Sequence, residues 1–276
     1  MRTAVIAIGG NSLIREGQRG TVEEQRRNVQ ATCEGIAAVL ASGYEAVVTH
    51  GNGPQVGDAL LRSELAAAQV EPLSLDACVA ETQGSIGYLL QQALDECLQR
   101  HGLRRPIITV VTQVLVSARD PALRRPTKPV GPFYTREQAL ERQAKLGWKI
   151  PEDASRGYRR VVPSPEPKAI LELPAIKAAL DSGTLVIACG GGGIPVVYRR
   201  ERLVGIEAVI DKDRVSSLLA WELEADLFLI STSVDFVALN YRTPTQQALD
   251  QLTLDEARRY LREGHFPAGS MGPKIE

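Results

Sequence analysis

Histidine is nearly missing from this sequence: His50, His101 and His265 are the only three in 276 residues. They are too few and too scattered to build a metal centre, so no metal site is expected. Cysteine is scarce as well. Cys33, Cys78, Cys97 and Cys189 contain no C-x-x-C pair, which argues against a redox motif and for reduced, structural thiols. No apolar run approaches the roughly 20 residues that span a bilayer. The opening "MRTAVIAIGGNS" passes straight into a strand-like segment and lacks the three zones of a secretory signal. A cytoplasmic protein is the expectation. Net charge is missing too, at −1, which removes the simplest electrostatic case for nucleic acid or a membrane surface.

What is present is apolar material in short runs. Hydrophobic residues make up 44% of the chain, enough for one large core or two modest ones. "TAVIAI" (3–8), "YEAVVTH" (44–50), "PIITVV" (106–111), "TLVIAC" (184–189) and "DLFLIS" (226–231) are each almost continuously apolar. Such runs mark strands buried on both faces, as in a parallel sheet covered by helices. Helical patterns lie between them. "TVEE" offers a capping box at Thr21 and Glu24, and Val29, Cys33, Ile36, Ala37 and Leu40 then share one face. Residues 76–102 read as one long helix in which Gly84 and Gly87 allow close packing, either internal or at a subunit interface. Residues 212–225 and 253–264 complete the helices, the latter with a second capping box at Thr253 and Glu256. Alternation of this kind predicts an open α/β sheet with right-handed crossovers.

Residues 119–168 break the rhythm. They are rich in proline and hold twelve Lys or Arg against six Asp or Glu, leaving the rest of the chain acidic. A helix-like piece (135–146) and strand-like pieces around Trp148 and Val161 predict a small protruding subdomain within an otherwise single domain. Its basic surface either faces an anionic ligand or is simply solvated.

Three strand ends run into glycine: "AIGGN", "THGNGPQVG" and "ACGGGGIPV". At the carboxyl ends of parallel strands such turns would line one crevice with backbone N–H groups, and helices beginning there would favour phosphate or carboxylate. The four consecutive glycines 190–193 suggest close approach to bare backbone, or else a flexible loop. Neither G-x-G-x-x-G nor G-x-x-x-x-G-K-[ST] is matched, so dinucleotide and P-loop readings are weak. Asn11 and Asn52 sit in glycine turns where an amide can hold a small anion. His50 either braces its turn or takes part in chemistry. Lys128, Lys212 and Lys274 stand beside Pro, Gly or Asp in stiff contexts, suited to clamping phosphate; phosphoryl transfer needs mainly position and positive charge.

"AIGGNSL", "THGNGPQVG", "TKPVGP", "GYRRVVPSP", "CGGGGIPV", "AVIDKD" and "GSMGPK" occur in this order along the whole chain. The series resembles that of the carbamate kinases, within the amino-acid kinase superfamily. The resemblance implies a three-layer αβα sandwich with an open, mainly parallel sheet, usually dimeric, with 119–168 as the protruding subdomain. It implies Mg²⁺-dependent phosphoryl transfer between ATP and carbamate, reversible toward ATP from carbamoyl phosphate and ADP. By motif, Gly9, Gly10, Asn11, Gly51, Asn52, Gly53, Gly191 and Gly192 would surround the substrate and phosphate. Lys128, Lys212 and Lys274 would neutralise that phosphate, with Asp211 orienting them. Asn240, Tyr241 and Met271 would lie near the nucleotide. Relatives usually continue past "MGPK" with a helix and a strand; this sequence closes at Glu276, so that pair is expected to be missing. Two alternatives stay open: a kinase of another small carboxylate or phosphonate, and a non-catalytic nucleotide-binding module.

Overall fold

The computed structural model describes residues 2–15, 17–153, 157–232, 234–266 and 271–276; the side chain of Asn11 also falls outside the description. Its centre is a five-stranded parallel sheet of β1 (Arg2–Ile8), β2 (Tyr44–His50), β3 (Ile107–Thr109), β8 (Leu185–Ile187) and β11 (Leu227–Ile230), in the order β11-β1-β2-β8-β3. These are the five apolar runs of the sequence. Side chains alternate across a strand, and here each set enters a separate core. Ala4, Ile6, Ile8, Val48 and Ile187 meet α1 (Val22–Ala41) and α3 (Leu75–Arg100), whereas Val5, Val47 and Val186 meet α5 (Leu173–Asp181) and α6 (Lys212–Glu222). Three layers result. Each fully buried leucine or isoleucine contributes about 1.5–3 kcal/mol, so neither face can be left open.

The helices begin where local chemistry says they should. Thr21 accepts from the Glu24 amide while the Glu24 carboxylate accepts from the Thr21 amide, which closes the capping box of α1. The face expected from the sequence is the buried one. Helix α3 tolerates Gly87 because Thr109 of β3 leaves no room there: a Cβ would stand 2.3 Å from the threonine methyl. That close approach is internal to the chain. Gly84 has no neighbour within 4 Å of such an atom.

A second, mixed sheet was not legible as such. It orders β10 (Arg202–Gly205), β9 (Ile194–Arg199), β4 (Gln113–Val116) and β7 (Pro167–Ile170), with only β4 and β9 parallel. Its buried residues Val114, Ile170 and Val197 join the core beneath α5 and α6.

Between β4 and β7 lies the basic excursion. Strands β5 (Lys128–Tyr134) and β6 (Tyr158–Val162) pair antiparallel, and α4 (Arg136–Leu146) rises from a capping box at Thr135. Its last two residues, Pro167 and Lys168, already belong to β7. Val130 and Val162 are buried against Val56 of α2 (Gly53–Ala66), Leu75, Val79 and Val209. Arg142 pairs with Glu64 of α2 at 2.8 Å. The C-terminal part adds the hairpin β12 (Val237–Leu239) and β13 (Gln247–Leu249), α7 (Leu254–Arg262) with its capping box at Thr253, and α8 (Gly272–Ile275). Among the described residues, no helix is long and apolar enough to cross a membrane.

Candidate active site

Because β1, β2 and β8 are neighbours in the sheet, the three glycine turns emerge side by side at its carboxyl edge. The Gly51 amide donates to the Ile8 carbonyl at 3.1 Å, and a Cβ on Gly51 would come within 3.2 Å of the Gly10 nitrogen. The first two turns therefore touch backbone to backbone. Asn11 belongs to the short turn Gly10–Ser12; its side chain lies outside the described atoms. Helix α2 starts at Gly53 and α6 at Lys212, so two helix N-termini stand at this edge.

The four-glycine run is explained differently from its sequence expectation. The atoms that crowd it are the chain's own. A Cβ on Gly190 would meet His50 Nε2 at 2.4 Å, and one on Gly191 the Asn52 amide at 2.2 Å. At Gly192 the obstacle is the Ile210 carbonyl at 2.4 Å, and at Gly193 it is a Val114 methyl at 2.2 Å. Gly191, Gly192 and Gly193 also have φ of 67°, 90° and 79°, the left-handed region that favours glycine. Residues 190–193 are buried. The run is a packing junction behind the site.

His50 and Asn52 belong to the same junction. His50 Nδ1 lies 3.1 Å from the Gly51 carbonyl. Burial pushes its imidazole down to about 4, the Gly51 bond opposes this, and Lys212 adds to the fall. It is a neutral brace for its turn. Asn52 donates to Thr82 at 2.8 Å and lies against Gly191. Gln83, which the sequence gave no reason to single out, fastens the run: its amide donates to the Gly190 and Thr112 carbonyls and accepts from the Thr112 amide.

The structure brings the three lysines together. Lys128 of β5 donates to Asp211 Oδ2 at 2.8 Å. Lys212 donates to Asp213 Oδ1 at 2.8 Å, and Lys274 of α8 donates to Asp213 Oδ2 at 2.7 Å. Asp211 is also the N-cap of α6, accepting from the Asp213 amide through Oδ1. Burial pushes the Asp211 carboxyl up, but the Lys128 ammonium and the Asp213 amide outweigh it and hold the group below its usual value. At Lys212 burial pushes the ammonium down and Asp213 pulls it back up; Lys274 adds to the fall, leaving it below the ordinary lysine range. Asp213 was missed in the sequence because an acid in the first turn of a helix has an ordinary explanation.

A cleft of about 930 Å³ opens beside this cluster. Its lining combines Gly9, Gly10, Lys212 and Lys274 with apolar surface from Phe236, Ala238, Tyr241, Phe266 and Met271. Tyr241 and Met271 thus face the cleft. Asn240 does not: it sits at φ 50° in the turn between β12 and β13, where its amide donates to the Thr245 carbonyl at 3.3 Å. Lys128, Asp211, Gly51, Asn52, Gly53, Gly191 and Gly192 lie outside the lining. Arg15 and Thr32 line it without having been foreseen. Elsewhere, Glu34, Cys97 and His101 place three potential metal ligands together. Arg100 already pairs with Glu34 there at 2.8 Å, so a cation occupies that carboxylate.

A model of the amino acid kinase family matches residues 2–276. The chain is 49% identical to the carbamate kinase of Thermococcus kodakarensis, across 100% of this chain and 88% of that protein. It is 50% identical to the carbamate kinase-like protein YahI of Escherichia coli, across 98% and 87% respectively. The solved carbamate kinase from Giardia lamblia bound to AMP-PNP is similar with a TM-score of 0.92 at 42% identity, covering 99% of this chain and 87% of that one.

Proposed function

The chain belongs to the amino acid kinase family, and we propose that it is a carbamate kinase, moving a phosphoryl group reversibly between ATP and carbamate. The observation that carries this reading is the cluster of Lys128, Lys212 and Lys274 around Asp211 and Asp213, beside a cleft floored by Gly9 and Gly10. Three ammonium groups against two carboxylates leave one surplus positive charge, joined by two helix N-termini. That arrangement suits the charge spread over a transferring phosphoryl group.

In the direction of carbamoyl phosphate, a carbamate oxygen forms the new bond to the γ-phosphorus while the bond to the β,γ-bridging oxygen of ATP breaks and ADP leaves. The acceptor oxygen is already anionic, so no general base is required. A neutral, buried His50 is consistent with that. Gly9, Gly10, Asn11, Gly51, Asn52 and Gly53 form the substrate end, with Gly191 and Gly192 supporting it from behind. Lys128, Lys212 and Lys274 stabilise the phosphoryl oxygens, and Asp211 orients Lys128. Tyr241 and Met271 flank the nucleotide, and Asn240 shapes the turn that presents Tyr241.

Mg²⁺ enters with the nucleotide. The chain's own donors do not fit a resident ion: among the described residues no carboxylate lines the cleft, and Asp211 and Asp213 are committed to lysines. The ion would be held by phosphate oxygens and water. The working unit is proposed as a cytoplasmic homodimer of one domain, with 119–168 as its inserted flap. Exposed Tyr88, Ile108 and Val111 at and near the edge strand β3 offer apolar surface for a second copy.

Purified protein given carbamoyl phosphate and MgADP should form ATP, read by a luciferase assay. Nucleotide binding without ATP formation would overturn the reading. Phosphorylation of a different small carboxylate or phosphonate in its place would favour the second reading, to which 50% identity with a protein named only carbamate kinase-like lends weight.

A further inference from the structure

Histidine and cysteine are scattered along the sequence, but the fold collects one of each at a place away from the cleft. Cys97 lies in the last turn of α3 and His101 is the C-cap of that helix, four positions on, so both stand on one side of the helix end. Glu34 of α1 meets them from 67 positions before His101, its Oε2 2.6 Å from His101 Nε2. The Cys97 thiol donates to the same carboxylate. The three donor atoms, one from each residue, lie within 4.8 Å of one another. None of the three residues lines the cleft. We propose that Glu34, Cys97 and His101 form a Zn²⁺ site that ties α1 to the end of α3.

The donor set selects the ion. A thiolate, an imidazole and a carboxylate are ligands of zinc, whereas Mg²⁺ keeps to oxygen and water. Tetrahedral bonds of about 2.0–2.3 Å hold neighbouring donors roughly 3.3–3.8 Å apart. The Glu34–His101 contact therefore opens and the other donors close in, by about 1 Å, within the reach of side-chain rotation. His101 and Glu34 are 46% and 43% exposed, which gives the ion a way in and leaves its fourth position to water. Arg100 takes only one oxygen of the carboxylate, Oε1 at 2.8 Å, and leaves Oε2 turned to His101. It steadies the ligand from outside, as hydrogen-bond partners of metal ligands do. On binding, the Cys97 thiol gives its proton to solvent, and the imidazole coordinates through Nε2 with its remaining proton on Nδ1. Thiolate and carboxylate then cancel the two charges of the ion. Cys33, beside Glu34, is fully buried in the core under α1 and stays outside the ligand set. Because the ion closes a long loop between α1 and α3, it stabilises the folded chain relative to the unfolded one.

This site is independent of the proposed phosphoryl transfer, and its test needs no turnover. The whole chain, reduced and freed of metal with a chelator, is titrated with Co²⁺ and then with Zn²⁺. Expected are one equivalent of Co²⁺ bound with a thiolate-to-cobalt charge-transfer band, its displacement by Zn²⁺, and no displacement by Mg²⁺. Zn²⁺ at about 100 times its Kd should raise the thermal midpoint by about 5 °C. His101→Gln changes a half-exposed side chain, so it should fold normally and bind Zn²⁺ at least about 100-fold more weakly. Cys97→Ala should lose the cobalt band; if that variant does not fold, His101→Gln decides alone. No charge-transfer band in the wild type, a band that survives Cys97→Ala, or equal zinc affinity in wild type and His101→Gln would each overturn the inference.

Discussion

Gly57 of α2 and Gly131 of β5 meet with no side chain between them: a Cβ at position 57 would stand 2.7 Å from the Gly131 Cα. The basic flap is therefore seated on the body through a backbone contact, three residues from Lys128. The root of this protruding subdomain is a packed core with Val130 and Val162 buried. Gly57→Ala gains about 1 kcal/mol of helix propensity but overpacks the contact at a cost of roughly 1–3 kcal/mol. The expected outcome is a lower urea midpoint, faster proteolysis within 131–160 and reduced kcat. Wild-type values in all three would show that the flap does not depend on this seat.

Lys128→Ala should lower kcat by about two to three orders of magnitude if the ammonium acts as a preorganised charge donor. Lys145→Ala is the control. Lys145 is exposed and, among the described residues, pairs with Glu141 four residues earlier on α4, a surface ion pair that contributes little. Equal, small losses in the two variants would remove Lys128 from the chemistry.

Asp211→Asn separates charge from capping. Asparagine is as good an N-cap as aspartate, so the bond from the Asp213 amide to this position survives while the ion pair with Lys128 weakens. Steady-state kinetics should show a kcat lower by roughly one to two orders of magnitude with nucleotide KM nearly unchanged, the pattern of an interaction made in the transition state. A raised KM at constant kcat would instead assign Asp211 to nucleotide binding.

His50 gives stability a pH dependence of known sign. Folded, burial holds its imidazole at about 4, against 6.5 for the free group. Between those values the unfolded chain takes up a proton that the folded chain refuses. Stability from this group is therefore complete above pH 6.5 and is lost as pH falls toward 4, by about 3 kcal/mol at most. Urea midpoints of wild type and His50→Gln, compared from pH 7.5 to 4, should converge as pH falls. A gap that stays constant would mean that His50 protonates in the folded protein as it does in water.

The central sheet was legible because β1, β2 and β8 are buried on both faces and so leave unbroken apolar runs. Capping boxes at Thr21 and Thr253 were legible because their partners lie three residues away. The mixed sheet was not, since β4 and β7 are four residues each and owe their pairing to strands far away in the chain. For the site, the stiff settings of Lys128, Lys212 and Lys274 were visible locally. Their assignment to Asp211 or Asp213 depends on where β5 and α8 come to rest, which no local pattern records. The glycine run was visible but its cause was not, because the obstructing atoms belong to residues 50, 52, 114 and 210.

Those four obstacles make the run unequal under mutational drift. Gly191, Gly192 and Gly193 are constrained twice, by a neighbour and by positive φ, so shrinking the neighbour still leaves a strained backbone for any replacement. Gly190 lacks the second constraint; the His50 ring is its nearest obstacle, with Gln83 Cγ at 3.1 Å beside it. A lineage can therefore leave glycine at 190 through a paired change that first reduces residue 50, with the Gln83 side chain giving slightly. The other three positions offer no such two-step path, and a suppressor screen starting from alanine at each of the four should recover intragenic revertants at 50 alone.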